Sequence, residues 1–119
     1  MTEMNIEAFR EYCLSLGDVE EKLPFAKIAG GDSVLAFYVN DHTFCYCDID
    51  DFKTVIVKCQ PERIPELLET VKGICPPDSH FNVKYWIGLE VQVIEVELLK
   101  ELVANSYEIV RAKYRRKRN

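Results

Sequence analysis

The sequence predicts a single α+β domain in which an antiparallel β-sheet is packed by an N-terminal, a middle and a long C-terminal helix. The chain has 119 residues, which suits one ordinary domain and one hydrophobic core. Stretches with helical spacing lie near both ends and once between strand-like stretches, in the order helix, three strands, helix, strand, helix. Such a sheet is covered mainly on one face, so we expect the other face to be available for contacts.

The first helix is predicted to begin after Asn5, whose side chain can accept hydrogen bonds from the first helical turn. Gly17 is the natural end of this helix. Residues 18–31 contain turn-forming residues and indicate an irregular connection that can include a short strand. The apolar stripe of the helix comprises Ile6, Phe9, Cys13 and Leu16.

The central part of the sequence is rich in β-branched and aromatic residues. Residues 33–39 and 43–49 are predicted to form a hairpin that turns at residues 40–42, and residues 53–59 are predicted to form a third strand. The short connections favour an antiparallel meander. Strict alternation along the second strand predicts one face with Cys45, Cys47 and Ile49, and an opposite face with Phe44, Tyr46 and Asp48.

The second half of the chain is predicted to add two helices and one strand. The middle helix begins near Pro61 or Pro65 and ends at Gly73. Residues 82–93 alternate as a strand that can bend at Gly88. From about Glu95 a long helix follows, with apolar residues at steps of three and four, namely Leu99, Val103, Tyr107, Val110 and Tyr114. We predict a domain over residues 1–110 and a basic helix end or tail over 111–119.

Charge is sorted along the chain. Residues 111–119 hold six of the fifteen Lys and Arg residues and no acid, which leaves nine bases against twenty acids in residues 1–110. The body therefore carries a formal charge of −11 and the tail +6, for a net charge of −5. A tail of this kind can neutralise DNA phosphates, but an acidic body repels a duplex unless its acids face away.

The cysteines, the apolar runs and the N-terminus indicate the cellular compartment, and the cysteines also raise the question of metal binding. Five cysteines without a framework spacing favour a reducing compartment. No apolar run is long enough to span a membrane and the N-terminus lacks a secretory signal, so we expect a cytoplasmic protein with no membrane partner. Cys45 and Cys47 could bind a soft metal only if another ligand came from elsewhere, and small buried thiols are commoner. We predict no cofactor, no catalytic residue and no enzymatic activity. The remaining enzyme hypothesis has one of the cysteines acting with His80 or His42, although nothing in the sequence places a base beside a nucleophile.

Several short stretches, taken in order, resemble the MmcQ/YjbR family of small bacterial proteins. The stretches are 11–16 (EYCLSL), 23–25 (LPF), 57–62 (VKCQPE), 80–86 (HFNVKYW) and 106–110 (SYEIV). The resemblance implies a frataxin-like, CyaY-like α+β arrangement, described as a double-wing fold, for which DNA binding has been proposed. The family usually shows Asn-Lys-Lys/Arg-His-Trp where this chain has Val83 and Tyr85, so one cation and one histidine of that pattern are missing.

The candidate nucleic-acid contacts follow from this resemblance and from the tail. If residues 82–86 are a strand, spacing of two places Asn82, Lys84 and Trp86 on one face, where Lys84 can bind phosphate. Ordinary structural roles are also open: Asn82 can bond backbone at a turn, Trp86 can be half-buried, and Ser106 can bond within its own helix. The tail candidates are Arg111, Lys113, Arg115, Arg116, Lys117 and Arg118.

An alternative function uses the acidic body instead of the basic tail. Carboxylates suit hard cations, and an acidic surface also attracts a basic protein partner. On this hypothesis the chain is an acidic, frataxin-like scaffold that binds a metal or such a partner. The candidate residues are Asp48, Asp50, Asp51, Glu95 and Glu97.

Overall fold

The computed structural model describes residues 4–115 and contains three helices and one six-stranded sheet. The sheet order is β1-β2-β3-β4-β6-β5, and every neighbouring pair is antiparallel. The predicted α+β class is confirmed. In chain order the elements are α1 (Ile6–Ser15), β1 (Glu20–Lys22), β2 (Val34–Val39), β3 (His42–Asp48), β4 (Thr54–Lys58), α2 (Ile64–Thr70), β5 (Ile74–Cys75), β6 (Trp86–Glu90) and α3 (Val96–Lys113).

The core lies between one face of the sheet, here called the inner face, and helices α1 and α3. Asn5 caps α1 as predicted, because its side chain accepts a hydrogen bond from the Ala8 N–H at 2.8 Å. The Tyr12 hydroxyl donates to the Lys100 carbonyl at 2.9 Å and so joins α1 to α3. The largest fully buried side chains of this core are Phe9, Phe37, Phe44, Ile87, Leu89, Leu99 and Leu102.

Strand β3 departs from strict alternation at Phe44. Thr43 pairs with Tyr38 and Cys45 pairs with Phe37, so Phe44 is an extra residue between neighbouring pairs. Such a β-bulge changes which face the following residues occupy. Phe44 packs against Phe37 and Tyr107 in the core, whereas Tyr46 packs against Phe81 and Trp86. The prediction that Phe44 shares a face with Tyr46 and Asp48 is therefore wrong.

The strand predicted over residues 82–93 is shorter in the structure, because a turn precedes it and another follows it. The Asn82 carbonyl accepts hydrogen bonds from the N–H groups of Tyr85 and Trp86, both at 3.0 Å, and β6 begins only at Trp86. The Glu90 carbonyl closes the second turn by accepting from Val93 and Ile94. These bonds occupy groups that a longer strand would use in the sheet.

Two short edge strands complete the sheet. β1 is the short strand that the predicted irregular connection over residues 18–31 could include. The sequence gives no indication of β5, since Pro76 and Pro77 follow it directly. β5 approaches β6 closely at Gly88, where an added Cβ would lie 2.7 Å from Cys75 Sγ. The missing side chain at Gly88 therefore makes room for the edge strand.

Ser106 of α3 joins the helix to the middle of the sheet. Its hydroxyl donates to the Phe44 carbonyl at 2.6 Å and accepts from the Lys58 N–H at 2.9 Å. β3 and β4 pair at Cys45 and Val57, so Phe44 and Lys58 would be the next pair in register. The hydroxyl therefore stands between two strands where their ladder stops. The expectation that Ser106 bonds within its own helix is wrong, because the bulge presents a free carbonyl to it.

We expect Ser106→Ala to destabilise the domain by about 2–4 kcal/mol, because it leaves a buried N–H and a buried carbonyl without their partner. The free energy of unfolding in urea measures the loss. Ser15→Ala is the matched control, since the Ser15 hydroxyl bonds the Tyr12 carbonyl on the exposed side of α1. A loss no larger than that of the control would show that the strands pair directly once the hydroxyl is removed.

Candidate functional site

The sheet face opposite α1 and α3, here called the outer face, is covered in part by two loop segments. Residues 23–31 approach it from the β1–β2 side and residues 76–82 from the β5–β6 side. Ala36 on this face is fully buried, and Ile56 is 8% exposed. The expectation of a sheet face open to contacts therefore needs correction, since a groove between two loops is what remains accessible.

This outer groove has a volume of about 930 Å³. Its floor includes Tyr46 and Ile56, and its ionisable rim residues include Asp48, Asp78 and His80. Among the described residues that line it, none is Lys or Arg. The remaining lining residues are mostly apolar or small: Phe25, Ile28, Ala29, Gly30, Gly31, Val34, Cys47, Thr54, Cys75, Pro76, Pro77 and Phe81.

Asp48 lines the groove and its carboxylate accepts three hydrogen bonds. One carboxylate oxygen accepts from the N–H groups of Asp50 and Asp51 at 2.9 and 3.0 Å, and the other accepts from the Ser33 hydroxyl at 3.0 Å. Partial burial raises the pKa of Asp48, but the hydrogen bonds from Asp51, Asp50 and Ser33 outweigh it and hold the pKa below its ordinary value. The side chain is therefore a carboxylate at neutral pH.

An aromatic cluster extends from the outer groove, which Tyr46 and Phe81 line, to Trp86, which does not line it. The ring of Phe81 lies 4.9 Å from that of Tyr46 and 5.2 Å from that of Trp86, measured between centroids. The Lys58 ammonium lies 5.6 Å from the Trp86 ring centroid. Trp86 is half-buried in these contacts, which favours a packing role for its indole over an open stacking surface.

Asn82 and Lys84 lie in the turn that precedes β6. The Asn82 side chain accepts from the Lys84 N–H at 2.9 Å, so it closes the turn by bonding backbone. Lys84 is exposed, and its ammonium lies 5.9 Å from the ring centroid of Tyr85. The prediction that Asn82, Lys84 and Trp86 share one strand face is wrong, because only Trp86 belongs to the strand.

The C-terminal end of α3 lies against the β2–β3 turn. The Asn40 side chain donates to the Arg111 carbonyl at 3.3 Å, and the ring of His42 stacks on Tyr114 at 3.4 Å. Arg111 is paired with Glu108 at 2.8 Å, whereas Lys113 and Arg115 are exposed. The other predicted tail contacts, Arg116, Lys117 and Arg118, lie outside the described residues.

Strand register brings these cations to one end of the sheet. Lys58 ends β4 and pairs with Trp86 at the start of β6, and the β2–β3 turn that holds the end of α3 lies at the same end. We call this the basic end; its described cations are Lys58, Lys84, Arg111, Lys113 and Arg115. Asp18, Glu20, Asp41, Glu62 and Glu108 lie there too.

The opposite end of the sheet collects carboxylates and is called the acidic end. It contains the β3–β4 turn, the end of β6 and the start of α3. Lys53, which is paired with Asp51 at 3.7 Å, and Lys72 are cations at this end. Charge is therefore separated in space as well as along the chain. The carboxylates are those of Asp32, Asp48, Asp50, Asp51, Glu90, Glu95 and Glu97.

The two metal hypotheses gain no support from the described residues. Within residues 4–115 no group of three or more His, Cys, Asp or Glu side chains could hold a metal ion. Burial raises the pKa of Cys47 to about 12, and burial with a hydrogen bond to Cys13 raises the pKa of Cys45 well above its ordinary value. Both thiols are therefore protonated at neutral pH, whereas metal binding and nucleophilic attack require thiolates.

The sequence does not predict two features of this region. Lys58 is not among the predicted contacts, although it lies in the 57–62 stretch that carries the family resemblance. The outer groove was not predicted because its walls come from segments far apart in the chain. An indirect signal in the sequence is the presence of apolar residues in a connection otherwise rich in turn-forming residues, and two of them, Phe25 and Ile28, line the groove.

The fold and the surface together define a small α+β protein with opposite charges at its two ends and a groove on its outer sheet face. None of the helices within residues 4–115 has the length and hydrophobicity that a membrane span requires. The YjbR family model matches residues 14–109, so the chain belongs to the YjbR family. This confirms the resemblance that the five sequence stretches indicated.

Two solved structures are similar to this chain over most of its length. The crystal structure of Deinococcus radiodurans protein DR2400, with the family-model domain DUF419, shares 28% identity and a TM-score of 0.79, covering 95% of this chain and 83% of that one. A protein from Pseudomonas syringae shares 21% identity and a TM-score of 0.75, covering 91% and 100%. No curated protein matches the sequence.

The Asp48 turn predicts a pH-dependent contribution to stability. Because the pKa of Asp48 is lowered on folding, its contribution is complete above about pH 5 and is lost as the pH falls through the folded-state value, below the ordinary 3.8. We expect Asp48→Asn to cost about 1 kcal/mol at pH 7 and progressively less as the pH falls. Urea unfolding between pH 2 and 7 measures this difference.

Asp50→Asn is the control for the Asp48 prediction, since it removes the same charge from an exposed side chain in the same turn. We expect it to leave the unfolding free energy nearly unchanged at every pH. A cost for Asp48→Asn that stayed constant down to pH 2 would contradict the electrostatic explanation.

Proposed function

We propose that this protein is a non-enzymatic, cytoplasmic DNA-binding protein that contacts phosphates with its basic end. The observation that carries the proposal is the separation of charge between the two ends of the sheet. A body of net negative charge can approach DNA only if its cations face the duplex and its carboxylates face away. The basic end offers such a face, since Lys58, Lys84, Lys113 and Arg115 lie there, whereas seven carboxylates lie at the opposite, acidic end.

The cations of the basic end come from separate elements, which favours a surface over a flexible tail alone. Lys58 and Lys84 lie at the ends of β4 and the pre-β6 turn, and Lys113 and Arg115 follow from α3. Lys58 is held against the Trp86 ring, so part of its side-chain freedom is already lost before binding. Trp86 then acts by positioning Lys58, and Asn82 by fixing the turn that presents Lys84.

The aromatic side chain best able to touch a base is Tyr85 instead of Trp86. Tyr85 is 42% exposed and lies beside Lys84. An exposed ring next to a lysine can stack on an unpaired base while the ammonium binds the adjacent phosphate. Single-stranded DNA would therefore gain a contact that a duplex does not offer.

The test removes two cations at a time and measures the salt dependence of binding. Labelled duplex and single-stranded DNA are titrated with wild type, with Lys58→Gln/Lys84→Gln and with Lys53→Gln/Lys72→Gln. Because each phosphate contact contributes about one unit to the slope of log affinity against log salt, the first variant should lower the slope by about two. The second variant makes the same charge change at the acidic end and should behave as wild type.

Several outcomes would refute this proposal. Wild type should bind measurably at about 50 mM salt, where electrostatic binding is strong. Absence of binding there, or equal losses in the two double variants, would exclude the basic end as a DNA surface. A version of the chain that ends at Val110 separates the contribution of the tail from that of the sheet.

The same charge separation supports the alternative, a scaffold whose acidic end binds a basic protein partner. Asp50 and Asp51 are exposed at that end. This function predicts that binding of a basic protein such as a histone is weakened by Asp50→Asn/Asp51→Asn and is unaffected by Lys58→Gln/Lys84→Gln. The DNA-binding function predicts that binding of DNA is weakened by Lys58→Gln/Lys84→Gln and is not weakened by Asp50→Asn/Asp51→Asn.

A further inference from the structure

We propose that the outer groove is a binding site for a small organic cation with an apolar body, such as an aromatic or alkyl amine. The groove is distinct from the basic end, since Lys58, Lys84 and Trp86 are not among its lining residues. The inference therefore does not depend on the proposed DNA function. It rests on the size of the groove, the signs of its charges and its aromatic floor.

The size of the groove suits a small molecule. Its volume of about 930 Å³ lies within the range of about 300–1,000 Å³ that is usual for ligand sites. Two loop segments bound it, one containing Phe25 and Ile28 and the other Pro76 and Pro77. Ile28 is 60% exposed at its edge, so the groove presents apolar surface that a ligand would remove from water.

The turn that carries Ile28 is fixed by its own packing. The Gly31 N–H bonds the Ile28 carbonyl at 2.9 Å, and a Cβ at Gly31 would lie 2.8 Å from the Cβ of Phe25. Gly30 has a φ of +81°, which favours glycine. This wall of the groove is therefore formed before any ligand arrives.

The charges of the groove select a cation. Asp48 and Asp78 are its lining carboxylates, and the described lining residues include no Lys or Arg. Asp78 Oδ1 accepts from the His80 backbone N–H at 2.9 Å and lies 3.1 Å from His80 Nδ1, and the Asp78 side chain stays 61% exposed. Asp48 keeps a further lone pair on the oxygen that accepts from Ser33. An anion would meet two carboxylates without a fixed positive charge to balance them.

The aromatic residues of the groove can hold the cation and its apolar body. Tyr46 and Phe81 lie next to each other at its floor, with ring centroids 4.9 Å apart, and Phe25 lies in the opposite wall. The Tyr46 hydroxyl is already bonded to Thr43 at 2.8 Å, which fixes the ring. A cation over an aromatic face near carboxylates is stabilised by both.

The probe is benzylammonium, the protonated form of benzylamine, titrated into ¹⁵N-labelled full-length protein at pH 7 and low salt, with amide chemical shifts as the readout. Phenylacetate and benzyl alcohol, of similar size, are the anionic and neutral comparisons. We expect saturable shifts at residues 25–31, 46–48 and 75–81, with a dissociation constant of about 1 mM for the cation. Binding of phenylacetate should be at least about tenfold weaker.

Two pairs of variants test where the probe binds. Asp78→Asn should weaken binding of the cation by about three- to fivefold, whereas Asp50→Asn removes an equal charge outside the groove and should not. Ala29→Trp fills the groove and should abolish binding. Ala26→Trp adds the same bulk at an exposed position in the same loop that does not line the groove, and should have no effect.

Three results would overturn the inference. Equal affinity for phenylacetate would show that charge does not select the ligand. An equal loss in Asp50→Asn and Asp78→Asn would indicate general attraction to an acidic protein. Absence of shifts in the groove segments at about 10 mM probe, with the wild-type amide spectrum intact, would show that the groove is not a binding site.

Discussion

The hydroxyl of Ser106 is the contact on which the arrangement of the sheet depends. It replaces the direct hydrogen bond that Phe44 and Lys58 would otherwise form. The buried hydroxyl is itself satisfied, because it donates to one strand and accepts from the other. The neighbouring amides reinforce the same junction, since Gln60 and Asn105 exchange two hydrogen bonds of 3.0 and 2.9 Å. Helix α3, the bulge in β3 and the end of β4 are thus fixed together.

This junction lies directly beside the basic end. The β3–β4 ladder ends at Cys45 and Val57, and the next residue, Lys58, pairs with the half-buried Trp86 on the other side of β4. The same helix continues from Ser106 toward Arg111, which contacts the β2–β3 turn. A single buried contact therefore connects the core to the basic end, although none of its atoms is charged.

The sequence predicts those features that depend on local pattern. Periodicity predicts α1, α3 and the central strands because their apolar residues face one common core. It fails at Phe44, since the bulge is stabilised by Ser106, which is 62 residues away. It fails at residues 82–85, where spacing of two resembles a strand but the Asn82 carbonyl closes a turn. The outer groove and the separation of charge require strand order, which no local pattern contains.

The edges of the sheet have a consequence for how the protein meets other molecules. β1 has three residues and β5 has two, and the two prolines after β5 have no N–H to donate. Neither edge can serve as a template for a further strand of useful length. The molecule is therefore protected against growing its sheet into a neighbour and against aggregation along that route. Recognition is left to side chains at its ends and in its loops.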